Sequence, residues 1–92
     1  MSAFRLKKAH SMSREELRDT ARALADRLES QHGLQARWHG EDVVAITGSG
    51  LDGRLSINDD EIEISVKLGL LVSAFKGKLQ AEIQRYLDEN IS

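Results

Sequence analysis

The chain of 92 residues has neither cysteine nor proline. Without thiols it can form no disulfide, no thiolate nucleophile and no thiolate metal site, so its stability must come from packing alone. Without proline no rigid hinge divides it, and no linker, repeat or low-complexity stretch does so either. Aromatic residues are scarce, at one Trp, one Tyr and two Phe, which argues against a base-stacking platform for single-stranded nucleic acid. Neither sign of charge dominates: 13 Lys and Arg stand against 15 Asp and Glu, a formal charge of −2. A nucleic-acid binder usually carries a basic excess, because neutralising phosphates supplies much of its affinity, so no nucleic-acid partner is expected. Long apolar runs are missing too. The longest, around Leu68 to Phe75, is far short of the roughly 20 residues of a spanning helix. Met1 to Lys8 has basic residues but lacks the apolar stretch of a secretory signal. No membrane span is expected, and the cytoplasm is the expected compartment.

What is present reads as one domain over residues 1–92. A composition 40% hydrophobic and 30% charged is that of a globular chain, too apolar for a disordered one. Phe4-Arg-Leu-Lys-Lys8 alternates apolar and polar, the period of a half-buried strand. Ser13-Arg-Glu-Glu16 is a capping box, in which the Ser hydroxyl accepts from an amide three residues on and Glu16 reaches back. Leu17, Ala21, Leu24 and Leu28 then recur at helical spacing, and Gly33 can take the left-handed conformation that ends a helix. A helix is therefore predicted from about Ser13 to His32. A meander follows. Leu34, Ala36 and Trp38 alternate with Gln35, Arg37 and His39. Val43 to Thr47 is rich in strand formers, and Leu51, Gly53, Leu55 and Ile57 alternate with polar residues. Ile62, Ile64, Val66 and Leu68 do so most cleanly. Gly40-Glu-Asp, Gly48-Ser-Gly50 and Asn58-Asp-Asp60 mark the reversals. Leu71, Phe75, Leu79, Ile83 and Leu87, each four apart, with Val72 and Tyr86 beside them, predict a second helix beginning after Gly69. The fold class is α+β, β-α-β-β-β-β-α, with both amphipathic helices on one face of an antiparallel sheet. The partner of the first strand cannot be read from this pattern.

Candidate chemistry is thin. His10, His32 and His39 form no metal-binding spacing. His32 at a helix end can interact with the helix dipole, and His10 can secure the corner between the first strand and helix. Asp59-Asp60-Glu61 with Glu63 lacks the order of a calcium loop and reads as a solvated turn and charged strand face. Gly48-Ser-Gly50 is neither a nucleophile elbow nor a phosphate loop. Trp38 shares a face with Leu34 and Ala36, which favours the core over an exposed anchor. No catalytic residue, cofactor or metal site is assigned, and a non-enzymatic role is expected. One segment stands out, Leu68-Gly-Leu-Leu-Val-Ser-Ala-Phe75. Helical geometry turns Leu71, Val72 and Phe75 inward, while Leu70 and Ala74 need not fit the stripe. Leu70, Val72 and Ala74 are the candidate partner-binding surface, offering surplus apolar area. The competing reading, slightly favoured, tucks this junction under the first helix.

Several landmarks in order carry a family resemblance. They are His10 shortly before the helix cap, Trp38-His-Gly40, and Gly50-Leu-Asp-Gly53-Arg-Leu. The strand Ile62 to Leu68 then leads through Gly69-Leu-Leu into the terminal amphipathic helix. Over essentially the whole chain the pattern resembles the polyhydroxyalkanoic acid system proteins, also called the polyhydroxyalkanoate granule-region family. That resemblance implies a bacterial cytoplasmic protein tied to the synthesis, use or surface organisation of polyhydroxyalkanoate (PHA) storage granules. It brings no catalytic residues with it. The implied function is a non-catalytic accessory or binding protein of that system, partnered by the granule surface or a granule-associated protein. The alternative is a small acyl- or hydrophobic-ligand-binding domain with a pocket between sheet and terminal helix, although a thin core leaves little to hollow out. A homodimer through a sheet edge or the Leu70 region is compatible with either.

Overall fold

Alternation along the strands decides which side chains meet the helices, and register decides which meet one another. The computed structural model describes residues 2–91. The order is β1 (Ser2–Ala9), α1 (Arg14–His32), β2 (Gln35–His39), β3 (Val43–Gly48), β4 (Leu51–Ile57), β5 (Glu61–Leu68), a 3₁₀ segment (Leu70–Phe75) and α2 (Lys76–Asn90). The five strands form one antiparallel sheet in the order β1-β5-β4-β3-β2. The unresolved question of β1 is thus answered by β5. Phe4 lies opposite Val66 and Leu6 opposite Ile64, so each buries its apolar face beside the cleanest strand of the meander. On the other face Lys7 lies opposite Glu63, with a 3.5 Å ion pair.

Both helices cover the same side of the sheet, as the sequence predicts. Leu6, Ile64, Leu55 and Val44 line up across four strands, all buried, and meet Leu17, Ala21, Leu24, Ala25 and Leu28 of α1 and Leu79, Ile83, Tyr86 and Leu87 of α2 in one core. Each fully buried Leu or Ile contributes roughly 1.5–3 kcal/mol of apolar transfer. Gly53 sits in the next inward row, between Val66 and Ile46, where an added Cβ would lie 3.4 Å from the Ser65 carbonyl and 3.5 Å from that of Ile46.

The corners are tied by polar groups. Ser13 Oγ accepts from the Glu16 amide at 3.2 Å and donates to Glu16 Oε1 at 3.0 Å, so Glu16 reaches back to the hydroxyl rather than to a backbone amide. His10 Nδ1 accepts from the Met12 amide at 3.2 Å, and its Nε2–H donates to the Asn58 carbonyl at 2.9 Å. Both ring nitrogens are therefore used to clamp the β1–α1 corner onto the β4–β5 turn, which is the role the sequence suggests. Arg14 bridges Asp42, at 2.8 Å, and Asp59. Tyr86 Oη donates to the Thr20 carbonyl at 2.8 Å and links α2 to α1. Trp38 is half-buried against the core, with the Arg22 guanidinium 5.8 Å over its ring.

Candidate functional site

The predicted second helix differs at its start. Leu70–Phe75 is a 3₁₀ segment, and α2 begins only at Lys76. With three residues per turn, side chains at i and i+3 eclipse, so Val72 and Phe75 share the inward side while Leu71 and Ala74 share the outward one. Leu71, expected to face inward on a 3.6-residue repeat, is instead 101% exposed, and Leu70 is 81% exposed. Of the three surface candidates, Leu70 and Ala74 are exposed, and Val72 is half-buried against the core. The patch is thus Leu70 with Leu71 and Ala74.

The segment is held from below. Gly69 N–H donates to the Gly50 carbonyl at 2.7 Å, and the Gly69 carbonyl accepts from the Val72 amide at 3.2 Å and from Ser73 Oγ at 2.9 Å. Gly50 has φ of 78°, which suits glycine, and a Cβ there would lie 3.3 Å from Val72 Cγ2. The β3–β4 turn and the β5 corner are therefore pressed together, with the two leucines on the outside.

Beside this corner the apolar elements leave a gap. Leu34, Leu51, Leu68, Val72, Phe75 and Leu79 line an open hollow of about 220 Å³, with His32 and Ser49 among its lining groups. Leu34 comes from the α1–β2 connection, Leu51 from β4, Leu68 from β5 and the others from the 3₁₀ segment and α2. His32 does more than face a helix dipole. Its Nε2–H donates to Glu82 Oε2 at 2.7 Å, closing the end of α1 against α2, and its ring meets Phe75 edge-on at 5.4 Å. Lys78 Nζ stands 5.8 Å from the Phe75 ring centre. The arrangement offers an apolar recess, an adjacent apolar surface and a few polar groups, chemistry suited to binding an apolar group.

The remaining sequence candidates lie elsewhere. His39 is exposed on the open face of the sheet. Asp59 pairs with Arg14 and Glu63 with Lys7. Among the described residues no three His, Asp or Glu side chains converge as a metal site requires. No helix among them is long and apolar enough to cross a membrane. Three groups have displaced pKa values, all away from the hollow. Hydrogen bonds to Asp42 and Asp59 raise that of the Arg14 guanidinium. Hydrogen bonds from Lys8 and Gln84 hold the Asp88 carboxyl below its ordinary range, and burial raises the Tyr86 phenol against the opposing charge of Arg27.

Comparison with curated proteins and with solved structures gives no match. Comparison with protein families does: the model of the family described as "Putative polyhydroxyalkanoic acid system protein" matches residues 4–91. That span runs from the first buried residue of β1 to the last buried residue after α2, taking in the sheet except Ser2 and Ala3, both helices and the leucine patch. The chain belongs to the polyhydroxyalkanoic acid system protein family.

Proposed function

We propose that the protein is a non-catalytic accessory of bacterial polyhydroxyalkanoate storage, cytoplasmic, and seated on granules or on a granule-bound protein through Leu70, Leu71 and Ala74. The observation that carries this reading is the pair of adjacent leucines held almost wholly in solvent by a corner that is itself tightly bonded. An apolar surface would reward burial of each by ~1.5–3 kcal/mol, enough to shift partitioning without unfolding anything. The family supplies the setting. The non-catalytic part is supported by the structural employment of four nucleophile and base candidates, with His39 alone on the open face of the sheet. His10 is engaged at both nitrogens, His32 is bound to Glu82, Ser13 caps a helix and Ser73 bonds Gly69.

Co-sedimentation with granules from cells making the polymer tests it. The parent should pellet with granules, while Leu70→Asp and Leu71→Asp remain soluble with unchanged circular dichroism. A parent that stays in the supernatant ends the granule reading; folded variants that pellet like the parent move the contact to another face.

The hollow favours a second reading, binding of a small apolar ligand such as an acyl chain. A dry cavity of about 150 Å³ holds benzene, so 220 Å³ admits an alkyl chain of about eight carbons and falls short of a drug-sized pocket. Titration with octanoate, repeated on Val72→Phe to fill the recess, separates the two. Loss of octanoate binding with granule association intact assigns the recess and the leucines different tasks. Sedimentation velocity of the parent and Leu71→Asp checks whether a second copy covers the patch.

A further inference from the structure

The face of the sheet that no helix covers carries its charges in an order that composition conceals. Arg5 lies opposite Ser65, Ser65 opposite Arg54, Arg54 opposite Ala45, and Ala45 opposite Arg37. Three arginines therefore stand in one row across all five strands, each separated from the next by a short side chain. With strands ~4.8 Å apart, neighbouring arginines are ~9.6 Å apart and the row is ~19 Å long. All three are exposed, and Ser65 and Ala45 are half-buried beneath them.

Among the described residues the row also lacks counterions, unlike the ion-paired basic residues of the helix side. Arg14 and Arg18 on the helix side are ion-paired with Asp42, Asp59 or Glu41, and Lys8 with Asp88. In the row, Arg5 donates only to the neutral Ser65 hydroxyl at 3.3 Å. The side chains of Arg37 and Arg54 make no hydrogen bond or ion pair among the described residues. Adding Lys7 and Lys67, this face holds five of the chain's 13 basic residues and three of its 15 acidic ones, Asp52, Glu61 and Glu63. A chain of net charge −2 thus has a face with a positive excess of two.

We infer that this row is a docking surface for an acidic helix of a partner protein, whose carboxylates seven residues apart each meet one arginine. Complementarity of charge and of spacing carries the choice. Seven residues are two helical turns and advance ~10.5 Å, close to the arginine separation, and return side chains to one face. An extended segment cannot match, because its same-face residues fall ~6.7 or ~13 Å apart. Guanidinium groups bind planar carboxylates bidentately, and all three positions are Arg rather than Lys. A nucleic-acid strand suits the face less well. The Trp, the Tyr and both Phe lie on the helix side, leaving nothing for bases to stack on.

The test uses the whole protein, labelled with nitrogen-15, and two helical Ala/Gln peptides of identical composition with three Glu residues, spaced seven apart in one and irregularly in the other. The seven-spaced peptide should bind more tightly, with shifts centred on Arg5, Arg37 and Arg54, and should weaken as salt rises. Arg54→Gln should reduce its affinity about tenfold or more, the loss expected for a charged hydrogen-bonded pair. Arg85→Gln, an exposed change on α2, should alter it less than twofold. Arg37→Gln serves as second variant should Arg54→Gln disturb the sheet. Equal affinity for both peptides, equal effects of the Arg54 and Arg85 changes, or no measurable binding would each overturn the inference. Tighter binding of a single-stranded oligo(U) probe would replace it with a nucleic-acid surface.

Discussion

Each helix of this protein follows a strand, yet the two begin in opposite ways. α1 starts at Ser13, whose hydroxyl accepts from one amide and is itself bonded by Glu16, and from its first turn it sends Leu17 to full burial. The stretch leading to α2 starts at Gly69, which has no side chain to cap anything, and its first two residues are leucines in solvent. The first start spends polar residues to seal a corner. The second spends apolar residues where they contribute nothing to the core. Since a protein of this size has little apolar burial to spare, exposed leucines beside a firmly bonded turn are what the proposed contact surface requires.

That contrast can be broken most decisively at the first buried residue of α2. Leu79→Ala should cost about 2–5 kcal/mol in urea denaturation, from lost transfer energy and the cavity left behind. Leu71→Ala, two turns earlier, should change stability by no more than about 0.5 kcal/mol. Comparable losses at the two sites would return Leu71 to the core. At the other start, Ser13→Ala should cost about 1 kcal/mol by freeing the Glu16 amide; an effect near zero would make the sealed corner an appearance only. Tyr86→Phe should cost about 0.5–1.5 kcal/mol at neutral pH by removing the tie to Thr20. Its pH dependence sharpens the point. Burial raises the Tyr86 pKa above its ordinary 10.0, so the folded state holds this proton more tightly than the unfolded one. The contribution is complete below pH 10 and disappears as pH rises through the folded value. Denaturation at pH 7 and at stepwise higher pH should therefore show the parent's advantage over Tyr86→Phe shrinking only on the alkaline side.

Much of this was legible in the residues. Alternation placed the four strands of the meander, because a sheet covered on one side needs one apolar face. Ser13, Glu16 and Gly33 bounded α1 for reasons local to the chain. β1 kept its partner hidden, since a strand with one apolar face fits beside any strand of like pattern. Only Lys7 opposite Glu63 hints at the choice. The 3₁₀ start of α2 is hidden because Leu71, Phe75 and Leu79 also fit a 3.6-residue repeat, whereas Gly69 supplies no cap and the chain winds more tightly. A pocket between sheet and terminal helix is among the readings of the sequence, but its lining is illegible for another reason. Leu34, Leu51 and Phe75 come from different elements, and a gap between elements has no signature in any one of them. The arginine row was hidden by arithmetic, as a balanced composition says nothing of how register sorts the charges.

The pairing of β1 with β5 also sets a timetable. Among the described strands β1 is made first, and its only neighbour is made last. At about 5–20 residues per second, β1 waits roughly 3–12 s between leaving the synthesis machinery and the arrival of its partner. Throughout that interval both of its edges are open, whereas β2, β3 and β4 gain neighbours as they emerge. Arg5, Lys7 and Lys8 in so short a strand then act as a safeguard, because like charges discourage two waiting chains from pairing with each other. The same residues that hold an edge in the finished molecule keep nascent copies apart before it exists.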